Sequence, residues 1–221
     1  MVKDTIIFDI NETVLNLDSL KPKFGKFFGD EKITGLWFSM LLHTSTVCIL
    51  TGVKTDFLTL SKITLDTVAS RVGVELTEVE KAEVLSIFAS LQPHDDIKRA
   101  LFRLRSAGYK TVAFSNSSLN LVSTQIKQAG LEEYFDEIVS VEEVGSFKPD
   151  PAAYGYLAGR LNLPVENLRL VATHDWDTHG ALNVGMKAAY IDRLNWPYNP
   201  LYKKPDITGK TMDEIVEAII G

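Results

Sequence analysis

The sequence predicts an α/β protein: a doubly wound parallel sheet with a block of helices inserted after its first strand. Three observations carry that reading. Five short apolar segments, Thr5–Asp9, Lys110–Ser115, Glu137–Val141, Leu168–Thr173 and Lys187–Asp192, each end in polar or small residues. Their near-continuous Val/Ile/Phe/Leu character suits strands buried on both faces, where a half-exposed strand would alternate. Helix-like stretches separate the last four of them, the alternation that builds a parallel sheet. Roughly a hundred residues also lie between the first strand and the second, far more than one crossover needs.

The individual elements follow from their end signals. Leu119–Gln128 runs up to Gly130, Pro151–Asn162 opens on a first-turn proline, and Thr178–Val184 stops at Gly185. Asp95–Ala107 reads as the helix leading into the second strand. Within the long connection, Leu17–Phe28, Ile33–Leu50, Phe57–Arg71 and Thr77–Ser90 space their apolar residues as helices do. The chain thus divides into a core of residues 1–15 and 93–221 and a helical subdomain of residues 16–92. That subdomain is expected over the carboxyl ends of the strands, where open α/β sheets bind ligands.

Composition narrows the function. The 221 residues are 45% hydrophobic and 24% charged, which suits a soluble globular chain and excludes disordered, collagen-like and disulfide-scaffold classes. Cys48 is the single cysteine, so no internal disulfide forms and a cytoplasmic setting is expected. Twenty-three basic against 29 acidic residues give a net charge of −6, which provides no overall field for nucleic acid or an anionic membrane. A local basic site for a small anionic substrate stays open. The start, Met1-Val2-Lys3-Asp4, lacks a signal-peptide pattern. Ser39, His43, Thr44, Ser45 and Thr46 interrupt the apolar run Ile33–Leu50, which is expected to fall short of a membrane span.

The chemistry gathers at the strand ends. Strand one delivers Phe8-Asp9-Ile10-Asn11-Glu12-Thr13, and strand two Phe114-Ser115-Asn116-Ser117. Lys148-Pro149-Asp150 follows strand three, with Tyr154 one helical turn on, and strand four delivers Thr173-His174-Asp175-Trp176-Asp177. Taken singly, Asp9 and Asn11 read equally well as caps of a following helix. Four such ends converging on one cleft point to a site. An ionised aspartate there acts as a covalent nucleophile, and an ammonium such as Lys148 holds its pKa down. Ser115, Asn116 and free backbone N–H groups suit an anionic substrate, while Asp177 suits activation of the water that opens the ester.

In order and spacing, Asp9–Thr13, Ser115-Asn116, Lys148-Pro149-Asp150 and Trp176-Asp177 resemble the four motifs of the haloacid dehalogenase (HAD) superfamily, and the inserted helices resemble its cap. The resemblance implies a HAD-like, Rossmann-type core. Tyr154 six residues after Lys148, the Trp-Asp pair and the cap tryptophan Trp37 make the chain most similar to the type II (S)-2-haloacid dehalogenases. What this implies is attack by Asp9 on C2 of a 2-halo acid, loss of halide, and hydrolysis of the ester to the 2-hydroxy acid with inversion. Thr13 then hydrogen-bonds the nucleophile, Lys148 steadies it, Ser115 binds the substrate carboxylate, Tyr154 supports the site and Asp177 positions water. Asn11, Asn116, Trp37 and Phe38 complete the expected substrate contacts.

Departures from the family patterns weigh the alternatives. HAD phosphatases carry a second motif-one aspartate and a magnesium-binding aspartate, at the positions of Asn11 and Thr173 here. No cofactor is therefore expected, and magnesium enters only on the phosphatase alternative. A non-catalytic relative and a phospho-acceptor receiver are the non-enzyme alternatives; the insertion and the Trp-Asp motif argue against the receiver. The usual halide-binding arginine is replaced by Phe38, and His174 stands where type II enzymes usually have asparagine. His174 is the expected halide donor, with His43 as the other candidate, while His94 and His179 are expected at the surface or as caps. Apolar helices such as Ile33–Leu50 have a face to bury, either in a homodimer, as the resemblance suggests, or against the core.

Overall fold

The computed structural model describes residues 3–221. Strand β1 (Thr5–Asp9) is buried at every residue and leads through a tight turn into the two-residue strand β2 (Leu15–Asn16). A 3-10 turn over Leu17–Leu20 then delivers the inserted helices α1 (Lys21–Phe28), α2 (Ile33–Thr51), α3 (Phe57–Arg71) and α4 (Glu78–Phe88). The segment expected as one helix over Leu17–Phe28 breaks at Lys21. Pro22 lacks an N–H and so fits the first turn of a helix, not its interior. Asp56 caps α3 through Thr59 N (2.9 Å), and a Thr77–Glu80 capping box starts α4. Strand β3 (Gln92–Pro93) pairs antiparallel with β2, Leu15 opposite Pro93, and so ties the two ends of the insertion together.

After α5 (Ile97–Ser106) come β4 (Thr111–Ser115), α6 (Leu119–Gln128), β5 (Glu137–Ser140), α7 (Pro151–Leu161), β6 (Leu168–Ala172), α8 (Asp175–Asn183), β7 (Lys187–Ile191), β8 (Ile207–Gly209) and α9 (Met212–Ile220). Among the described residues six strands form the main sheet in the order β5-β4-β1-β6-β7-β8, every neighbouring pair parallel. Ile7 sits opposite Val112 on one side and Leu170 on the other. The chain winds away from β1 in both directions, so the crevice at its carboxyl end is the switch point where such sheets bind ligands. β8 and α9 lie beyond the elements the sequence suggested. A three-residue strand after a proline-rich loop carries no periodicity, whereas the Thr-x-x-Glu start of α9 (Thr211 Oγ accepting from Glu214 N, 3.2 Å) was legible.

Trp37 is the centre of the inserted helices' core, with ring centroids 5.5 Å from both Phe24 and Phe88. The expectation that α2 falls short of a membrane span needs correcting. By length and composition this helix is sufficient, because its interruptions are uncharged and Thr44, Ser45 and Thr46 bond back to helix carbonyls. In the fold it packs against α3, burying Trp37, Phe38, Leu41, Ser45 and Cys48 and turning Leu36, Val47 and Leu50 outward.

Candidate active site

Strand β1 ends at Asp9, and the following residues turn instead of starting a helix. Ile10 O accepts from both Val14 N and Leu15 N (2.9 Å each), and Glu12 takes a left-handed φ of 67°. Asp9 and Asn11 are therefore not helix caps. Asp9 Oδ2 accepts from Thr13 Oγ1 at 2.7 Å, and Thr13 Oγ1 accepts in turn from Thr173 N at 2.9 Å. Lys148, fully buried, donates to Asp9 Oδ1 (2.8 Å) and to Asp177 Oδ2 (2.6 Å). Asn116 Oδ1 fixes that loop by accepting from Lys148 N at 2.8 Å. Tyr154, from α7, donates to Asp177 Oδ1 at 2.6 Å. Its hydroxyl packs over Gly180, where a Cβ would lie 2.5 Å from Tyr154 Oη and 2.8 Å from Pro149 Cβ.

His174, the N-cap of α8, completes the cluster. Its Nε2 is 2.8 Å from Glu12 Oε2, and its Nδ1 lies 3.3 Å from Asp9 Oδ2, just short of hydrogen-bond geometry. The ring stacks on Trp176 (5.1 Å, 23°) and faces Phe38 at 6.3 Å, a sandwich that favours a cation.

Electrostatics follow from these contacts. Burial alone would raise the Asp9 pKa, but Lys148 and His174 outweigh it and hold the carboxyl well below the usual range. Burial likewise opposes charge on His174, yet Asp9 and Glu12 push its pKa up to about 10, making it an imidazolium at neutral pH. Lys148 is raised by Asp177 and Asp9 against its burial. Asp177 is raised by burial and by the like charge of Asp9, with Lys148 opposing.

Several expected contacts need correction. Trp37 does not line the space beside Asp9; it is fully buried between aromatic neighbours and donates Nε1 to Ser61 O at 3.1 Å. Tyr154 lies beneath the site as a support for Asp177, without exposure to substrate. The two ring nitrogens of His174 face carboxylates, which leaves no N–H directed at a departing halide. His43 is exposed on α2 and does not line the space beside Asp9. His94 is half-buried and contacts Glu12 O through Nε2 at 2.9 Å, bracing the β1 turn. His179 anchors a loop by accepting from Lys203 N at 3.0 Å. Ser115 is buried, its Oγ accepting from Ser117 N at 3.1 Å, while Asn11, Phe38 and Asn116 do line the space beside Asp9.

Sequence reasoning missed Glu12, Gln125 and Arg193. Gln125 Nε2 donates to Asn11 Oδ1 (3.1 Å) and to Phe88 O (2.8 Å), which joins the β1 turn to the end of α4. Arg193 Nε donates to Thr13 O at 2.9 Å. Glu12 had the one legible signal, its place inside the strand-one cluster.

The space beside Asp9 is about 10 Å³, also lined by Phe57, His174 and Trp176. On the far side of His174 opens a cavity of about 450 Å³, lined by Glu12, Leu17, Leu42, His174, Trp176 and Trp196 among others. The donors present do not fit a magnesium ion. Asn11 is neutral, Thr173 contributes one buried, unbonded hydroxyl, and the carboxylates are already paired with Lys148 and His174. Among the described residues no cluster of three His, Cys, Asp or Glu side chains has metal-binding geometry.

Residues 3–171 match the family model for haloacid dehalogenase-like hydrolases. The chain belongs to that family. This hydrolase is 26% identical over 212 residues to (S)-2-haloacid dehalogenase 2 of Pseudomonas sp. strain CBS-3, covering 95% of this chain and 93% of the relative. It is 28% identical over 194 residues to (S)-2-haloacid dehalogenase 1 of the same strain, covering 86% and 85%. Its fold superimposes on that of L-2-haloacid dehalogenase from Xanthobacter autotrophicus with a TM-score of 0.91 at 22% identity, over 100% of this chain and 99% of the other.

Proposed function

We propose that this hydrolase converts (S)-2-halo acids to 2-hydroxy acids and halide, with Asp9 as the covalent nucleophile. The observation that carries the reading is Lys148 bonded to Asp9 and Asp177 at once, with a second cation, His174, on the other side of Asp9. Such a carboxylate stays ionised yet dry, the state a nucleophile needs. The names of the full-length relatives support the carbon–halogen bond as its target. Asp9 attacks C2 from the side opposite the halogen, the C–halogen bond breaks, and an Asp9 ester remains for water to open. Asn116 lines the space beside Asp9 with its Oδ1 spent on Lys148 N, which leaves its amide N–H₂ as the donor for the substrate. Phe38, Leu42 and Phe57 exclude water during displacement.

The space beside Asp9 holds about one water. Substrate entry therefore requires the inserted helices to part from the sheet, so they act as a cap. The outward residues Leu36, Val47 and Leu50 on α2 support a homodimer, and a lone, buried Cys48 suits a reducing, cytoplasmic setting. The deciding experiment offers short (S)-2-halo acids and simple phosphate monoesters, each with magnesium and with chelator. Halide release insensitive to chelator is the expected result. Phosphate release that requires magnesium would overturn the reading.

A further inference from the structure

We propose that the cleft between the end of β7 and the loop leading to β8 binds a small alkylammonium ion, through Asp192 and a corner of aromatic rings. The cleft has a volume of about 420 Å³ and shares no residue with the space beside Asp9. The proposal is therefore independent of which bond Asp9 attacks.

The aromatic walls are held in place before any ligand arrives. Tyr190 is buried in β7, opposite Ala172 of β6 on one side and Thr208 of β8 on the other. Tyr198 meets it at close to a right angle, with ring centroids 5.0 Å apart and planes at 83°. The Tyr198 hydroxyl donates to Lys203 O at 2.8 Å and lies 3.0 Å from Thr178 Oγ1, which fixes the second ring as well. Trp196, largely exposed, adds a third ring to the lining. Rings meeting at a corner are the arrangement with which proteins hold alkylated ammonium groups, because each ring face is electron-rich.

The charge in the cleft is an aspartate without a partner. Asp192 follows β7 directly, and its N–H is tied to Gly209 O at 2.8 Å. Its side chain lines the cleft, and Oδ1 is buried with no hydrogen-bond partner. Among the described residues Asp192 forms no ion pair. Its chain neighbour Arg193 is spent elsewhere, on Asp96 and on Thr13 O. A carboxylate oxygen taken from water without a donor is costly, and native structures seldom leave one so. The negative charge reaches the rings: the Tyr190 hydroxyl is pushed up to about 12 by burial, by Asp192 and by Asp175.

These features select the ligand class. One carboxylate among aromatic rings offers too few hard oxygens for a metal ion, and it repels an anion. A protonated amine bearing small alkyl groups satisfies both parts of the site. Its N–H donates to Asp192 Oδ1, and its alkyl groups lie against the rings. The volume suits a ligand of this size with its neighbouring atoms. Lys204 also lines the cleft, exposed and without an ion-pair partner among the described residues, so its ammonium opposes the binding of a second cation.

The test is isothermal titration at constant ionic strength with N,N-dimethylethanolamine, which is protonated at pH 7, and with 3-methylbutan-1-ol, its neutral isostere. The ammonium should bind saturably at one site, and the alcohol roughly tenfold more weakly or less well still. Asp192→Asn should weaken ammonium binding roughly tenfold, whereas Lys204→Gln should tighten it a few-fold. The two variants move in opposite directions, so a general loss of fold cannot imitate the pattern, and thermal unfolding of each confirms that it is intact. No saturable binding of the ammonium, equal binding of the alcohol, an unchanged affinity in Asp192→Asn, or weaker binding in Lys204→Gln would each overturn the proposal. None of these readouts uses halide release, so failure here leaves the dehalogenase reading untouched.

Discussion

Replacing Lys148 with methionine tests the electrostatic centre of the site. The side chain is 1% exposed, 2.8 Å from Asp9 and 2.6 Å from Asp177, and its ammonium lies 5.2 Å from the centre of the Phe114 ring. Methionine keeps most of the volume and removes the charge, so the loss is electrostatic. Deleting one partner of a buried ion pair costs about 3–5 kcal/mol because a desolvated charge is left behind. The two carboxylates do not share this cost equally. Asp9 keeps His174 and Thr13, whereas Asp177 keeps the Tyr154 hydroxyl alone. The penalty therefore falls on Asp177. In a chain of this size it lowers Tm by about 10 °C near pH 7.5. Acid should narrow the gap: without Lys148 the Asp177 carboxyl, already raised by burial, rises further, and a proton relieves the repulsion. The assay is thermal unfolding of both proteins from pH 4.5 to 8, alongside halide release. A Tm loss below about 2 °C, or a gap that stays constant with pH, would refute the reasoning.

Further expectations follow from single contacts. Gly180→Ala drives a methyl into Tyr154 Oη and Pro149; it should cost about 1–3 kcal/mol in a denaturant melt and lower kcat, since Tyr154 supports Asp177. Gln125→Leu leaves Asn11 Oδ1 and Phe88 O without their buried donor, at about 1–3 kcal/mol each, and should raise KM as the β1 turn loosens from α4. His174 has its pKa raised to about 10 by folding, so its stabilisation is complete below the unfolded value near 6.5. That stabilisation is lost as pH climbs through 10. Wild-type Tm should decline across that window, and His174→Asn should flatten the decline.

What the sequence disclosed and what it hid divide along physical lines. Strands buried on both faces announce themselves, so the strand boundaries at Asp9, Ser115 and Ala172 fall within a residue of expectation. With those ends placed, the parallel order brings Asp9, Lys148 and Asp177 together, and their spacing along the chain makes them legible. Trp37 was misplaced because helical periodicity gives a buried face without saying which neighbour buries it; Phe24 and Phe88 do so, not substrate. Glu12 reads as an ordinary loop acid until β6 is laid beside β1, which carries His174 to it across 162 residues of sequence. Gln125 was hidden for the same reason: a polar residue on a helix is usually solvated, and its burial depends on where α4 ends.

In the proposed reaction Asp9 becomes an ester. A single turnover with enzyme in excess over (S)-2-bromopropionate in ¹⁸O-labelled water, followed by peptide mass analysis, addresses it directly. Water attacks Asp9 Cγ in this account, so the label should enter the peptide containing Asp9 and the first 2-hydroxypropionate formed should be unlabelled. Label in the product with none in Asp9 would contradict the account.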